Sequence, residues 1–199
     1  LCGEWSVPGT GVLVDPAPAS LPKPKVHEPL FECGAAVRIS NLHVGARVYV
    51  YSSMLGAPIG ERTADADEMD VPVAPLLIAN DKIFAVQRGC GLVSSKSNTV
   101  VVGKIERLHA PRVVEPLYSC ENTVRVGDVI PGARVDVYVN GIFRGSAVGG
   151  GTDLNVGVSG QLAVGDSVTA LQRLCQHISP LSKPVLVQEF LGRWIQVGN

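Results

Sequence analysis

Five cysteines are the residues of this chain whose chemistry and spacing stand out: Cys2, Cys33, Cys90, Cys120 and Cys175. They form no Cys-x-x-Cys pair and join no histidine cluster, so a zinc site is not expected. Thiols recurring in small β domains instead point to disulfides, and so to an oxidising, extracellular or cell-surface setting. Sequence leaves the pairing open. Cys33 with Cys90, and Cys120 with Cys175, would each close a long loop, contributing about 4 kcal/mol in the chain-entropy model. A bridge between repeats, such as Cys33 to Cys175, is an alternative, and so are free buried thiols.

Other chemistry is sparse. Asp65, Asp67, Glu68 and Asp70 gather carboxylates of the kind calcium prefers, but the turn glycine of an EF-hand loop is missing. A solvated acidic loop is the expectation, with no metal. The sequence has no Gly-x-Ser-x-Gly, no His-Glu-x-x-His and no P-loop. Gly149-Gly150-Gly151 lacks a following lysine and reads as a flexible loop. His27, His43, His109 and His177 pair with no recognisable nucleophile. The expectation is a non-catalytic chain with no cofactor. Its net charge is −1, from 17 basic and 18 acidic residues that interleave. That pattern carries no phosphate-backbone footprint, so no nucleic-acid partner is expected. The longest apolar runs are strand-length, too short for a membrane-inserted helix.

The cysteines recur because the sequence does. Pro24 to Ser53 aligns without a gap on Pro111 to Asn140, and Leu77 to Val102 aligns on Leu162 to Val187. Leu1 to Val14 matches the end of the second block, with Cys2 falling on Cys90 and Cys175. A period of about 87 residues is too long for a helical solenoid and fits a string of small domains. The expected organisation is a terminal strand of a preceding repeat at 1–14, a proline-rich linker at 15–23 and a first domain at 24–102. A second linker follows at 103–110, a second domain at 111–187, and a tail or the start of another element at 188–199.

Within each repeat the pattern has period two. Val135, Val137 and Val139 share one face while Asp136 and Tyr138 take the other, and Val48 and Val50 repeat this. Asn140-Gly141 directly after signals a tight hairpin, because a type I′ turn needs positive φ twice. The first repeat has two extra residues here, so its loop is expected to be longer. Gly45 and Gly132 mark the preceding turn. Gln87 and Gln172 share parity with core residues and are expected to satisfy loop backbone groups. Short strands with turn signals every ten residues or so describe an all-β chain of two tandem immunoglobulin-like sandwiches. If seven strands alternate, the start of the second and the end of the sixth lie at opposite ends, which opposes pairing cysteines within one repeat.

The run Val124 to Gly141, with Pro131-Gly132-Ala133 and Asn140-Gly141, and the run Leu162 to Ala170, with Gly165-Asp166, resemble bacterial immunoglobulin-like repeats. That resemblance implies tandem modules of large secreted or surface proteins, with neighbouring repeats as partners. The first repeat departs from the pattern at Val44, where the second has Pro131.

Strand parity also defines an outward face. Tyr49, Tyr51, Phe84 and Arg88 in the first repeat, with Tyr138 and Arg173 in the second, place aromatics and arginines where a protein or glycan partner would meet them. The competing view is that aromatics simply suit strands. Three functions compete: a stalk, spacer or adhesion module; a carbohydrate-binding accessory region; and a structural subunit completed by strand donation in an assembly.

Overall fold

The computed structural model describes residues 18–189. The expected strand at 12–14, Cys2 and the tail around Trp194 lie outside the described residues. The first repeat runs β1 (Lys25–Val26), β2 (Leu30–Phe31), β3 (Ala36–Ser40), β4 (Arg47–Ser52), β5 (Ala57–Thr63), β6 (Met69–Pro72), β7 (Lys82–Gly89), β8 (Leu92–Val93) and β9 (Val100–Gly103). The second runs β10 (Arg112–Val113), β11 (Thr123–Gly127), β12 (Arg134–Val139), β13 (Ile142–Val148), β14 (Leu154–Gly157), β15 (Ser167–Leu174), β16 (His177–Ile178) and β17 (Val185–Leu186). Among the described residues there is no helix.

One sheet of the first repeat is ordered β1-β3-β6, and the facing sheet β2-β9-β7-β4-β5 with β8 on β7. The opening strand is therefore shared out: β1 pairs antiparallel with β3, while β2 pairs parallel with β9. The second repeat copies this with β10-β11-β14 against β13-β12-β15, where β16 and β17 also join β15. A parallel bridge between Tyr118 and Gln188 stands where β2 meets β9. Two sheets, antiparallel but for these parallel pairings at one edge, face each other around one apolar layer and form the immunoglobulin-like sandwich.

The layer is the one that period two requires. Val48, Val50, Ile83 and Ala85 of β4 and β7 are wholly buried, as are Val135, Val137, Val168 and Ala170 in the second repeat. Burying each valine or isoleucine among them contributes about 1.5–3 kcal/mol relative to leaving it in water. β12 and β13 meet through the two-residue loop Asn140-Gly141, whose φ angles are 50° and 77°. The matching loop of the first repeat spans Ser53 to Gly56, two residues longer, between the paired Ser52 and Ala57.

Each sandwich is pinned by a buried glutamine. Gln87 Oε1 accepts the amide of His43, and its Nε2 donates to the carbonyls of Pro22 and Asn41. Gln172 repeats the set with Ile130, His109 and Asp128. Pro22 and His109 stand in segments read from sequence as linkers. Leu21 and Leu108 beside them are buried at 7% and 3% exposure, and Leu108 belongs to the second core. The pattern Leu-x-x-Pro, present as Leu21-Pro24 and Leu108-Pro111, was the signal that would have extended the repeat backwards.

Candidate functional site

Cys33 is bonded to Cys175, with Cα atoms 5.3 Å apart and a separation of 142 positions in sequence. The staple joins the two sandwiches. Pairing within a repeat, as Cys33–Cys90 and Cys120–Cys175, does not occur, because each of these pairs sits at opposite ends of its own sandwich. Cys90 and Cys120 are free and exposed. Of the alternatives left open by the sequence, the bridge between repeats is the one present, and the free thiols are exposed rather than buried.

Local backbone explains how the bonded thiols are presented. Cys33 follows β2 in a turn with φ 60°, its amide donating to the Leu77 carbonyl. Cys175 occupies the tight turn between β15 and β16 with φ 52°. Around the staple, Phe31 and Cys33 of the first repeat pack against the core of the second. The amide of Ala35 donates across the junction to the Gly132 carbonyl at 3.2 Å.

Gly149-Gly150-Gly151 belongs to this junction and is buried, contrary to its reading as a free loop. A β-carbon on Gly150 would fall 2.8 Å from the Val37 carbonyl carbon and 2.9 Å from Asp70 Oδ1. Only glycine lets this loop lie flat on β3 and β6. Beneath it, Arg38 Nε donates to Asp70 Oδ1 at 2.9 Å and its Nη2 to Oδ2 at 3.2 Å. The Asp70 pairing holds the Arg38 guanidinium above its already high ordinary pKa against partial burial.

The acidic loop of the first repeat faces basic side chains of the protein itself. Arg62 pairs with Asp65 at 2.7 Å, Arg38 lies 3.6 Å from Glu68, and His27 lies 3.4 Å from Glu68. Among the described residues no cluster of His, Cys, Asp or Glu is arranged to hold a metal ion.

The outward aromatics come together on β4 and β7. Tyr51 and Phe84 are cross-strand partners and stack with centroids 5.1 Å apart and planes 7° from parallel. Arg88 lies over the Tyr49 ring at 5.1 Å, and Lys96 Nζ stands 3.6 Å from the Phe84 centroid. The rings are thus part of a ladder of cations and π faces rather than a bare platform.

The second repeat keeps the position and changes the chemistry. Asp136 replaces Tyr49 and is buried on the outer face, clamped by Arg134 Nε at 2.8 Å and Arg173 Nε at 2.7 Å. The Asp136 hydrogen bond raises the pKa of Arg173 above its ordinary value, with a smaller contribution from Tyr138. Tyr138 meets Phe143 edge-on at 5.9 Å. Sequence parity places Asp136 outward; it misses that two flanking arginines would cover it.

No family model and no curated protein matches this chain. Solved structures similar to it are immunoglobulin-like or fibronectin-III-like. One is the biofilm associated protein BSP domain, at 18% identity and TM-score 0.40 over 85% of this chain. The chain spans 30% of that protein's length. The fibronectin(III)-like modules of Clostridium thermocellum CbhA match 83% of this chain and 94% of theirs, at 17% identity and TM-score 0.31. Chicken CNTN1 FN1-FN3 domains match 86% of this chain and 66% of theirs, at 10% identity and TM-score 0.33. The likeness is one of fold.

Proposed function

We propose that this chain is a non-catalytic tandem segment of a larger extracellular or cell-surface protein, of the secreted bacterial kind, and that it serves as a spacer holding its neighbours at a fixed distance. The units are the repeats at 24–102 and 111–187, each extended backwards to its buried leucine. The observation that supports this most is the junction. A disulfide between Cys33 and Cys175, a backbone hydrogen bond at Gly132 and a buried glycine loop all join two sandwiches end to end. Relative motion of domains is the ordinary expectation for a short linker, and a covalent tie across the joint removes most of it.

The adhesion and glycan-binding readings draw on Tyr49, Tyr51, Phe84, Arg88, Tyr138 and Arg173. A sugar ring needs an open aromatic face, and cations already lie over Tyr49 and Phe84, which favours the spacer. Small-angle scattering of the oxidised chain tests it: one narrow distribution of interatomic distances with a fixed maximum is expected. A broad distribution, or saturable binding on a glycan array lost in Tyr51→Ala, overturns it in favour of a hinge or a lectin-like module.

A further inference from the structure

The repeat symmetry relates Cys33 to Cys120 and Cys175 to Cys90. Each free cysteine is therefore the counterpart of a bonded one, and the backbone treats them alike. Cys120 has φ 69° and donates its amide to Leu162, as Cys33 has φ 60° and donates to Leu77. Cys90 has φ 50°, beside 52° at Cys175. The surroundings repeat as well. On the first repeat, the glycine loop of the second sits on Val37, Arg38 and Asp70. The equivalent place on the second repeat is an open groove of about 350 Å³, whose walls include Thr123, Arg125 and Asn155. At the other end, Gly45 has φ 89° like its counterpart Gly132 at 85°. Gly132 meets Gly34, whereas among the described residues a β-carbon on Gly45 would meet nothing.

We propose that Cys120 and Cys90 are two open halves of the staple already closed between Cys33 and Cys175, and that the partner of each is a further repeat of this same kind, docked head to tail. Cys120 takes the cysteine of the penultimate-strand turn of a following repeat. Cys90 takes the cysteine after the opening strand of a preceding one. In a second copy of this chain the two halves are complementary, so Cys120 of one copy bonds to Cys90 of the next. The docking loop is then Ala64-Asp65-Ala66, with Asp65 in the place of Gly150. Its side chain keeps the loop from lying as flat as the glycine loop does, and it brings to Arg125 a carboxylate that Arg62 holds at 2.7 Å within this chain. Closing the bond joins the two sulfurs and releases two protons and two electrons. The electrons reduce a disulfide oxidant, such as oxidised glutathione or an oxidoreductase disulfide, to its two thiols.

The proposal rests on reading these sandwiches as tandem repeats, and its test separates the two. In a Cys2→Ser background, the Cys90→Ser and Cys120→Ser chains are mixed in equal amounts in a glutathione redox buffer. Non-reducing mass spectrometry then reads the products. The mixed dimer, carrying a peptide that links Cys120 to Cys90, should exceed either self-dimer about tenfold, and each variant alone should stay monomeric. A mixed dimer no more than twice as abundant as each self-dimer, the random ratio, overturns the proposal. So does the absence of any dimer while the Cys33–Cys175 peptide is intact. Loss of the Cys33–Cys175 peptide itself overturns the spacer reading as well.

Discussion

A β-carbon on Gly132 would fall 2.6 Å from the Cα of Gly34, so the two sandwiches approach each other backbone to backbone at this point. Gly132 also has φ 85°, a left-handed conformation that glycine adopts without strain. The position of Gly34 is taken by Glu121 in the second repeat. The close approach depends on Gly132, since a β-carbon on Gly34 would lie at an ordinary 3.7 Å from the Gly132 Cα.

Gly150→Ala should loosen the joint without unfolding either sandwich. The added methyl meets the backbone of β3, and overpacking of that kind costs about 1–3 kcal/mol. Scattering should show a broader distance distribution than the parent chain, with an unchanged far-ultraviolet circular dichroism spectrum. An unaltered distribution would mean the glycine loop does not bear on the junction.

Gln172→Met should destabilise the second sandwich by about 2–4 kcal/mol. The apolar replacement leaves the Ile130 amide and the His109 carbonyl without their partner, while the Asp128 carbonyl keeps its contact with the His109 ring, and each unsatisfied buried group costs about 1–3 kcal/mol. Chemical denaturation should show the second sandwich melting earlier while the first keeps its midpoint.

Gly141→Val should cost about 1 kcal/mol or more, because a β-branched residue does not tolerate the 77° φ of this turn. Unfolding midpoints in urea provide the check. As a control, Leu55→Val in the longer loop of the first repeat, where φ is not positive, should be close to neutral.

Asp166 gives the second sandwich an acid-sensitive component. The Ala163 amide at 2.8 Å and, next, the Asn140 side chain at 2.7 Å hold its carboxyl below the ordinary aspartate range. Its folded pKa is thus lower than its unfolded one, near 3.9. The associated stability is complete above that value and is lost as pH falls through the folded pKa. Asp166→Asn should lower the melting temperature at pH 6, and the gap to the parent should narrow towards pH 2.5. A constant gap would mean the carboxylate charge plays no part.

Much of this was open to reading from the chain. Valines at 48, 50, 135, 137 and 139 declare their face because strand side chains alternate regardless of what lies across the core. Asn140-Gly141 declares its turn because few residues accept two positive φ angles. What period and turn chemistry do not reveal is contact between distant segments. Gly150 has no local reason to be glycine; its reason is Val37 and Arg38, in another sandwich. Asp136 has the parity of a solvent residue, and only Arg134 and Arg173 on either side make its burial tolerable. The pairing of Cys33 with Cys175 needed the relative placement of two domains, which no local pattern encodes.

The staple has a mechanical consequence. A pull applied through the chain on either side of the two sandwiches enters at Cys33 and leaves at Cys175, passing through the sulfur–sulfur bond. The 142-residue separation between them then lies outside the loaded path. At about 3.5 Å per extended residue, roughly 500 Å of contour length stays locked away until the bond is reduced. Under tension β3 to β15, which lie between the two cysteines, would be shielded from a pull that reaches them directly in an unstapled pair, and a reducing agent would act as the release.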